Sequence, residues 1–285
     1  MSHTIAVYNF KGGVGKTSTT LNLALSWARS FRVLVIDCDP QANLTAALSN
    51  QNHHTSNLFT ISKKLLHDGQ PKIEPVEVSY YLHLIPGDYQ MAALESNSQF
   101  ISFGHIIFYK LLTSLKSNYD FILLDCPTHF GVTVKSFLAN ADSILIPAVP
   151  DSFSTSGFRK LLSHLNEVEK ERPLNVLGIY FNLFRQNTLH HQKVKRLAEK
   201  NLGKLIIDQT VRESIRVSEA HAASESIYDQ LELSPVANDF MLLSEEVIER
   251  LNSMSLDRIA EEHPIEDEHT NGTTVPDNAR GLPQF

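Results

Sequence analysis

Short apolar runs alternate with longer amphipathic stretches along most of the chain. Ile5-Ala6-Val7-Tyr8 reads as a strand and is followed by a helix over 18–28. Arg32-Val33-Leu34-Val35-Ile36 does not alternate polar with apolar, which is the pattern of a strand buried on both faces. Residues 43–50 and 58–67 read as short helices, 82–85 as a strand running into the turn Pro86-Gly87-Asp88, and 89–95 and 104–116 as helices. Strands over 119–125, 143–148, 176–181 and 205–207 then share the chain with helices over 153–170, 189–201 and 235–252. Such alternation predicts a doubly wound, mostly parallel sheet with helices on both faces. Residues 1–252 read as one domain, whereas 253–285 hold Pro, Gly, Asn, Thr and acids without an apolar period, a disordered tail by composition.

Composition narrows the function classes. With 285 residues and 42% hydrophobic content the chain can bury the core of a large α/β domain. No apolar run approaches the roughly 20 residues of a spanning helix, and the start lacks a basic region leading into a hydrophobic segment. A soluble, cytoplasmic protein without a membrane partner is expected. Cys38 and Cys126 each adjoin an aspartate at the end of an apolar strand, so they read as core residues rather than a disulfide or metal pair. The pairs His53-His54 and His190-His191 lack metal-ligand spacing, and His129 reads as a surface loop residue.

The net charge of −7 disfavours nucleic acid until its distribution is considered. Residues 256–285 carry a net −5, the remaining body only −2, and the segment from Arg185 to Arg216 a local +5. Within that segment Lys193, Arg196 and Lys200 share one helical face at spacings of three, four and seven. The face fits a phosphate backbone, although solvated surface lysines have the same pattern.

The densest chemistry lies between the first strand and helix, in Lys11-Gly12-Gly13-Val14-Gly15-Lys16-Thr17. Glycines let successive N–H groups turn toward an anion, the following helix adds its positive end, and Lys16 adds a full charge. Thr17 can ligate Mg²⁺. The end of the stretch fits the P-loop G-x-x-x-x-G-K-[ST], with Phe10 in place of the first glycine and Lys11 as an additional cation. Two strands end in carboxylates: Asp37-Cys38-Asp39 after the second, and Asp125 after Phe121-Ile122-Leu123-Leu124. The latter has the form of a Walker B strand, whose aspartate holds Mg²⁺ through water.

The glycine-rich stretch resembles the deviant Walker A motif K-G-G-x-G-K-[ST] of the ParA/MinD ATPases. Asp37-Cys38-Asp39-Pro40-Gln41-Ala42-Asn43 is similar to the D-x-D-P-Q-x-N segment of ParA proteins. Asp125-Cys126-Pro127-Thr128 resembles their D-x-P-P, with Thr128 replacing the second proline. Leu84-Ile85-Pro86-Gly87-Asp88, Ile146-Pro147 with Gly157, and the stretch from Val211 to Ala220 also match family segments, and the likeness covers nearly all of 4–251. It implies a P-loop NTPase fold of the deviant Walker A type that binds ATP and Mg²⁺. Residues Lys11, Gly12, Gly13, Val14, Gly15, Lys16, Thr17 and Ser18 would contact the nucleotide, and Asn182 the adenine. Thr17, Asp37 and Asp125 would serve the metal. Lys11, Lys16 and Asp39 would be catalytic, Lys11 by reaching a nucleotide in the partner subunit and Asp39 by orienting water.

The resemblance further implies a slow ATPase stimulated by a ParB-like partner, a homodimer in its ATP state, and non-specific DNA binding at the nucleoid through Lys193, Arg196, Lys200 and Arg216. Nothing ahead of Thr4 reads as a helix-turn-helix module, so operator recognition is not expected. A MinD-like membrane helix does not fit an acidic end containing Pro264, Pro276 and Pro283. Iron–sulfur relatives need cluster cysteines. The alternative from another class is a metabolic ATP-dependent enzyme of the same fold acting on a small molecule.

Overall fold

A computed structural model describes residues 2–49, 54–67, 72–214 and 234–262. Its strands are β1 His3–Val7, β2 Val33–Asp37, β3 Val76–Ser79, β4 Leu82–Ile85, β5 Phe121–Asp125, β6 Ser143–Ala148 and β7 Val176–Phe181. They form one sheet in the order β3-β4-β2-β5-β1-β6-β7. Only β3 runs antiparallel, against β4. The helices are α1 Lys16–Trp27, α2 Asn43–Leu48, α3 Leu58–His67, α4 Ser98–Leu115, α5 Val132–Asn140, α6 Thr155–Glu169, α7 Leu189–Leu202 and α8 Pro235–Glu262.

The unbroken apolar runs serve two cores. Alternate strand residues point to opposite faces. Thus Val33, Val35, Leu123, Leu145 and Leu177 join α1 and α8, while Leu34, Ile36, Ile122, Leu124, Ile146 and Ile179 join α3–α7. Each such side chain contributes about 1.5–3 kcal/mol on full burial. On the first face Trp27 packs on Phe121 with ring centres 4.6 Å apart and donates Nε1–H to the Ser244 carbonyl at 3.4 Å.

Several elements depart from the sequence reading. Strand β3, with the short sequence Val-Glu-Val-Ser, is an edge strand absent from it. Residues Tyr89–Ser96 form a 3₁₀ rather than an α-helix, and α4 starts at Ser98 because the Asn97 side chain accepts the Phe100 N–H at 2.9 Å. The expected strand over 205–207 shrinks to a single bridge between Ile179 and Ile206. Arg250 explains this: its guanidinium takes the Lys204 and Ile206 carbonyls, each at 2.7 Å, which a continued ladder would need. Finally, α8 runs to Glu262, so 253–262 belong to a helix and the boundary expected at 252 is not a helix end. No glycine or proline interrupts that stretch before Pro264. Among the described residues no helix is long and apolar enough to cross a membrane.

Candidate functional site

Three neighbouring strands end together. Val7 of β1 lies opposite Asp125 of β5, and Asp125 opposite Asp37 of β2. The loop leaving β1 therefore rises beside two carboxylates, at the strand ends where ligands of open α/β sheets bind. Gly13 and Gly15 have φ of 73° and 89°, values that favour glycine. The first α1 bond is Thr19 N–H to the Gly15 carbonyl at 2.8 Å, and none of the described backbone bonds outside the helices uses an N–H from Gly12 to Ser18. Those donors stand at the positive end of α1, the setting of a cradle for an anion.

Two asparagines brace the loop from beneath. Asn9 donates Nδ2–H to the Pro147 carbonyl at 2.8 Å and accepts the Lys11 N–H at 3.0 Å. Asn182, 3% exposed, donates Nδ2–H to the Val14 carbonyl at 2.9 Å and accepts the Leu183 N–H at 2.9 Å. A Cβ on Gly15 would overlap that carboxamide. Asn182, expected at the adenine, is thus engaged in holding the phosphate loop.

Lys16 is buried and donates Nζ–H to the Lys11 carbonyl at 3.2 Å. Burial pulls its ammonium below the ordinary lysine range, while the nearby charges of Asp125 and Asp39 push it back up. Lys11 extends toward α6: a Cβ on Gly157 would come 2.5 Å from Lys11 Nζ, so glycine there makes room for the lysine.

Asp37 and Asp125 are both fully buried. Burial raises the Asp37 carboxyl to about 6 against the pull of its hydrogen bonds from Thr45. Asp125 is held well above the ordinary carboxylate range by burial and then by Asp37, opposed by a hydrogen bond from Thr17 and the charge of Lys16. Its Oδ2 is buried without a hydrogen-bond partner. Such an oxygen beside a second carboxylate and a threonine hydroxyl fits a hydrated divalent cation. Among the described residues no group of three or more His, Cys, Asp or Glu could hold a metal ion. Asp39 is half-buried at the rim and accepts the Gln41 N–H at 2.9 Å.

Without a cation these buried charges strain the fold. A carboxyl raised on folding contributes stability that is present below its unfolded pKa near 4 and lost as pH rises through its folded value. Asp125→Asn is expected to stabilise the nucleotide-free protein at pH 7, a gain that shrinks as pH falls toward 4. Urea denaturation across that range checks the sign; a variant less stable than wild type at pH 7 would contradict it.

A protein-family model described as an AAA domain matches residues 2–179. A chromosome partitioning protein ParA from Myxococcus xanthus is 31% identical over 217 residues, covering 73% of this chain and 76% of the relative. The chain belongs to the ParA family. Its seven-stranded, mostly parallel sheet with helices is that of a ParA-family P-loop ATPase. Two solved structures share the fold. One is the ATP complex of a Cyanothece McdA variant in which an aspartate is replaced by alanine, with TM-score 0.74 and 21% identity over 88% of this chain and 96% of that one. The other is a Mycobacterium smegmatis cobyrinic acid a,c-diamide synthase with bound ATP analogue and magnesium, with TM-score 0.73 and 21% identity over 89% and 97%. Nucleotide and Mg²⁺ are therefore at home in this fold.

The remaining expected residues of this ParA-family chain lie apart from the cradle. Lys193, Arg196 and Lys200 are exposed on α7, and no described acid pairs with them. Other members of the basic segment are neutralised: Arg185 pairs with Glu213 and Arg212 with Asp239, each at 2.6 Å. Arg216 lies outside the described residues. His191 is buried: its Nδ1 accepts the Arg185 N–H (3.0 Å), so Nε2 carries the proton and donates to Asp151 Oδ1 (3.1 Å), which pins the turn before α7. Both cysteines are buried and free, and burial pushes each thiol up. Sequence reasoning missed Asn9 and Thr45. Both adjoin quoted motifs, one just ahead of the glycine-rich stretch and the other two residues after Asn43, and that adjacency was the available signal.

Proposed function

We propose that this chain is an ATP-timed switch: with ATP and Mg²⁺ it closes into a homodimer, binds DNA without sequence preference and positions a cargo, and partner-stimulated hydrolysis releases it. The observation that carries the reading is the second lysine, Lys11, beside a complete phosphate cradle. One subunit needs only Lys16 to hold its own phosphates, and Lys11 then serves a nucleotide in the facing subunit.

Lys16 and the loop N–H groups of Gly12 to Ser18 would bind the β- and γ-phosphates. Thr17, Asp37 and Asp125 would hold Mg²⁺, which supplies charge neutralisation at the phosphates. Phosphoryl transfer asks little covalent chemistry of a protein, so the residues act by placing charge and water. Asp39, at the rim, would orient the attacking water, and a carboxylate is a weak base for water. Slow turnover without a ParB-like activator follows. Loss of the γ-phosphate removes what Lys11 holds across the dimer, and the subunits part. The exposed cations Lys193, Arg196 and Lys200 support a DNA-facing, nucleoid-associated role, because unpaired basic side chains on one helix face neutralise phosphates by counterion release.

The fold shared with the diamide synthase keeps a metabolic ATP-dependent enzyme as the alternative, which needs neither a dimer nor DNA. Light scattering separates the two. Asp39→Ala with ATP is expected to run as a dimer and with ADP as a monomer, and adding Lys11→Ala is expected to abolish the dimer while ATP still binds. A monomer in every state would sink the switch.

A further inference from the structure

A buried hydroxyl outside the motifs is committed to one of the site's carboxylates. Thr45, on α2, is 7% exposed. Its backbone N–H and its Oγ1–H both donate to Asp37 Oδ2, at 2.8 and 2.7 Å. The same Oγ1 accepts the Gly87 N–H at 2.8 Å. A hydroxyl has one proton, so these contacts fix its direction: it gives to Asp37 and receives from Gly87. Oδ2 is thereby saturated, whereas Oδ1 accepts the Asp39 N–H at a longer 3.2 Å and keeps one lone pair to spare. The contact is close on every side. A Cβ on Gly87 would fall 2.9 Å from Asp37 Cγ and 3.0 Å from the Asp39 carbonyl oxygen, so the turn after β4 lies flush on the Asp37–Asp39 segment.

We propose that Thr45 is a positioning residue: it clamps Asp37 through Oδ2, presents Oδ1 to the water shell of nucleotide-bound Mg²⁺, and ties the Asp39 segment to the turn after β4. The inference rests on the reading of Asp37 as a metal-supporting residue. Serine keeps both hydrogen bonds. Valine fills the space, withdraws the donor from Asp37 and leaves the buried Gly87 N–H without an acceptor.

The test measures binding of a fluorescent ATP analogue to the full chain in EDTA and across a Mg²⁺ titration, for wild type, Thr45→Val and Thr45→Ser. In EDTA the three are expected to agree within about twofold. Thr45→Val is expected to need on the order of 10-fold more Mg²⁺ for the half-maximal effect, the loss of one charge-assisted bond, and Thr45→Ser to match wild type. Should Thr45→Val not fold, Thr45→Ala makes the same comparison. A wild-type Mg²⁺ midpoint in the valine variant overturns the proposal. So does a loss of binding already present in EDTA, because the role would then be structural only. A wild type that binds no nucleotide under any condition overturns the ATPase reading itself, a separate and recognisable outcome.

Discussion

Lys16→Ala is expected to lose ATP. Lys16 is buried beneath the loop, with burial acting against its charge and Asp125 and Asp39 acting for it. A cation held there against burial gains a further counter-charge when phosphate arrives. Removing a charged donor from a buried site costs about 3 kcal/mol, on the order of 100-fold in affinity. The variant also leaves Asp125 without its compensating charge, so some loss of stability accompanies the loss of binding. Titration calorimetry with ATP and Mg²⁺ reads the first effect and thermal melting the second. Unchanged ATP affinity would refute the role of Lys16 and, with it, the cradle.

Asp39→Ala and Asp39→Asn are expected to bind ATP with near wild-type affinity but to lose turnover by on the order of 100-fold or more, the usual effect of removing a group that positions or takes the reacting proton. Asp39 sits at the rim, where its carboxylate accepts the turn N–H of Gln41. Its removal therefore leaves Asp37, Asp125 and the glycine loop as they are. Single-turnover measurement of phosphate release separates binding from chemistry. A variant that hydrolyses ATP as fast as wild type would move the catalytic role elsewhere, and one that no longer binds ATP would make Asp39 a structural residue.

The site was legible where chemistry and local order coincide. Glycines, two lysines and a threonine sit in one unbroken stretch, and Asp37 and Asp125 close two apolar runs whose register in the sheet then follows from parallel pairing. Elements fixed by distant partners were not legible. Helix α5 was missing from the sequence reading because its start, Gly131-Val132-Thr133-Val134, has no capping side chain of its own; the cap comes from Glu95, whose carboxylate accepts the Val132 and Thr133 N–H groups at 2.8 and 3.1 Å. The would-be strand at 205–207 fails for the same kind of reason, since Arg250 of α8 claims its carbonyls. Asn182 was legible as a residue at a strand end, but its bond to the Val14 carbonyl is a tertiary fact that strand spacing does not contain. The basic face of α7 was legible in full as a face. Which of its cations are free could not be, because the acids that neutralise Arg185 and Arg212 lie 28 and 27 residues away.

Nucleotide-dependent binding to non-specific duplex DNA is the most direct measurement. Wild type and Asp39→Ala are compared with no nucleotide, ADP and ATP at two salt concentrations, beside Lys193→Glu/Arg196→Glu/Lys200→Glu. Binding is expected only with ATP, to weaken as salt rises, to persist in Asp39→Ala and to disappear in the charge-reversed variant. A protein that binds ATP yet ignores DNA in every state would contradict the switch and bring the metabolic enzyme forward.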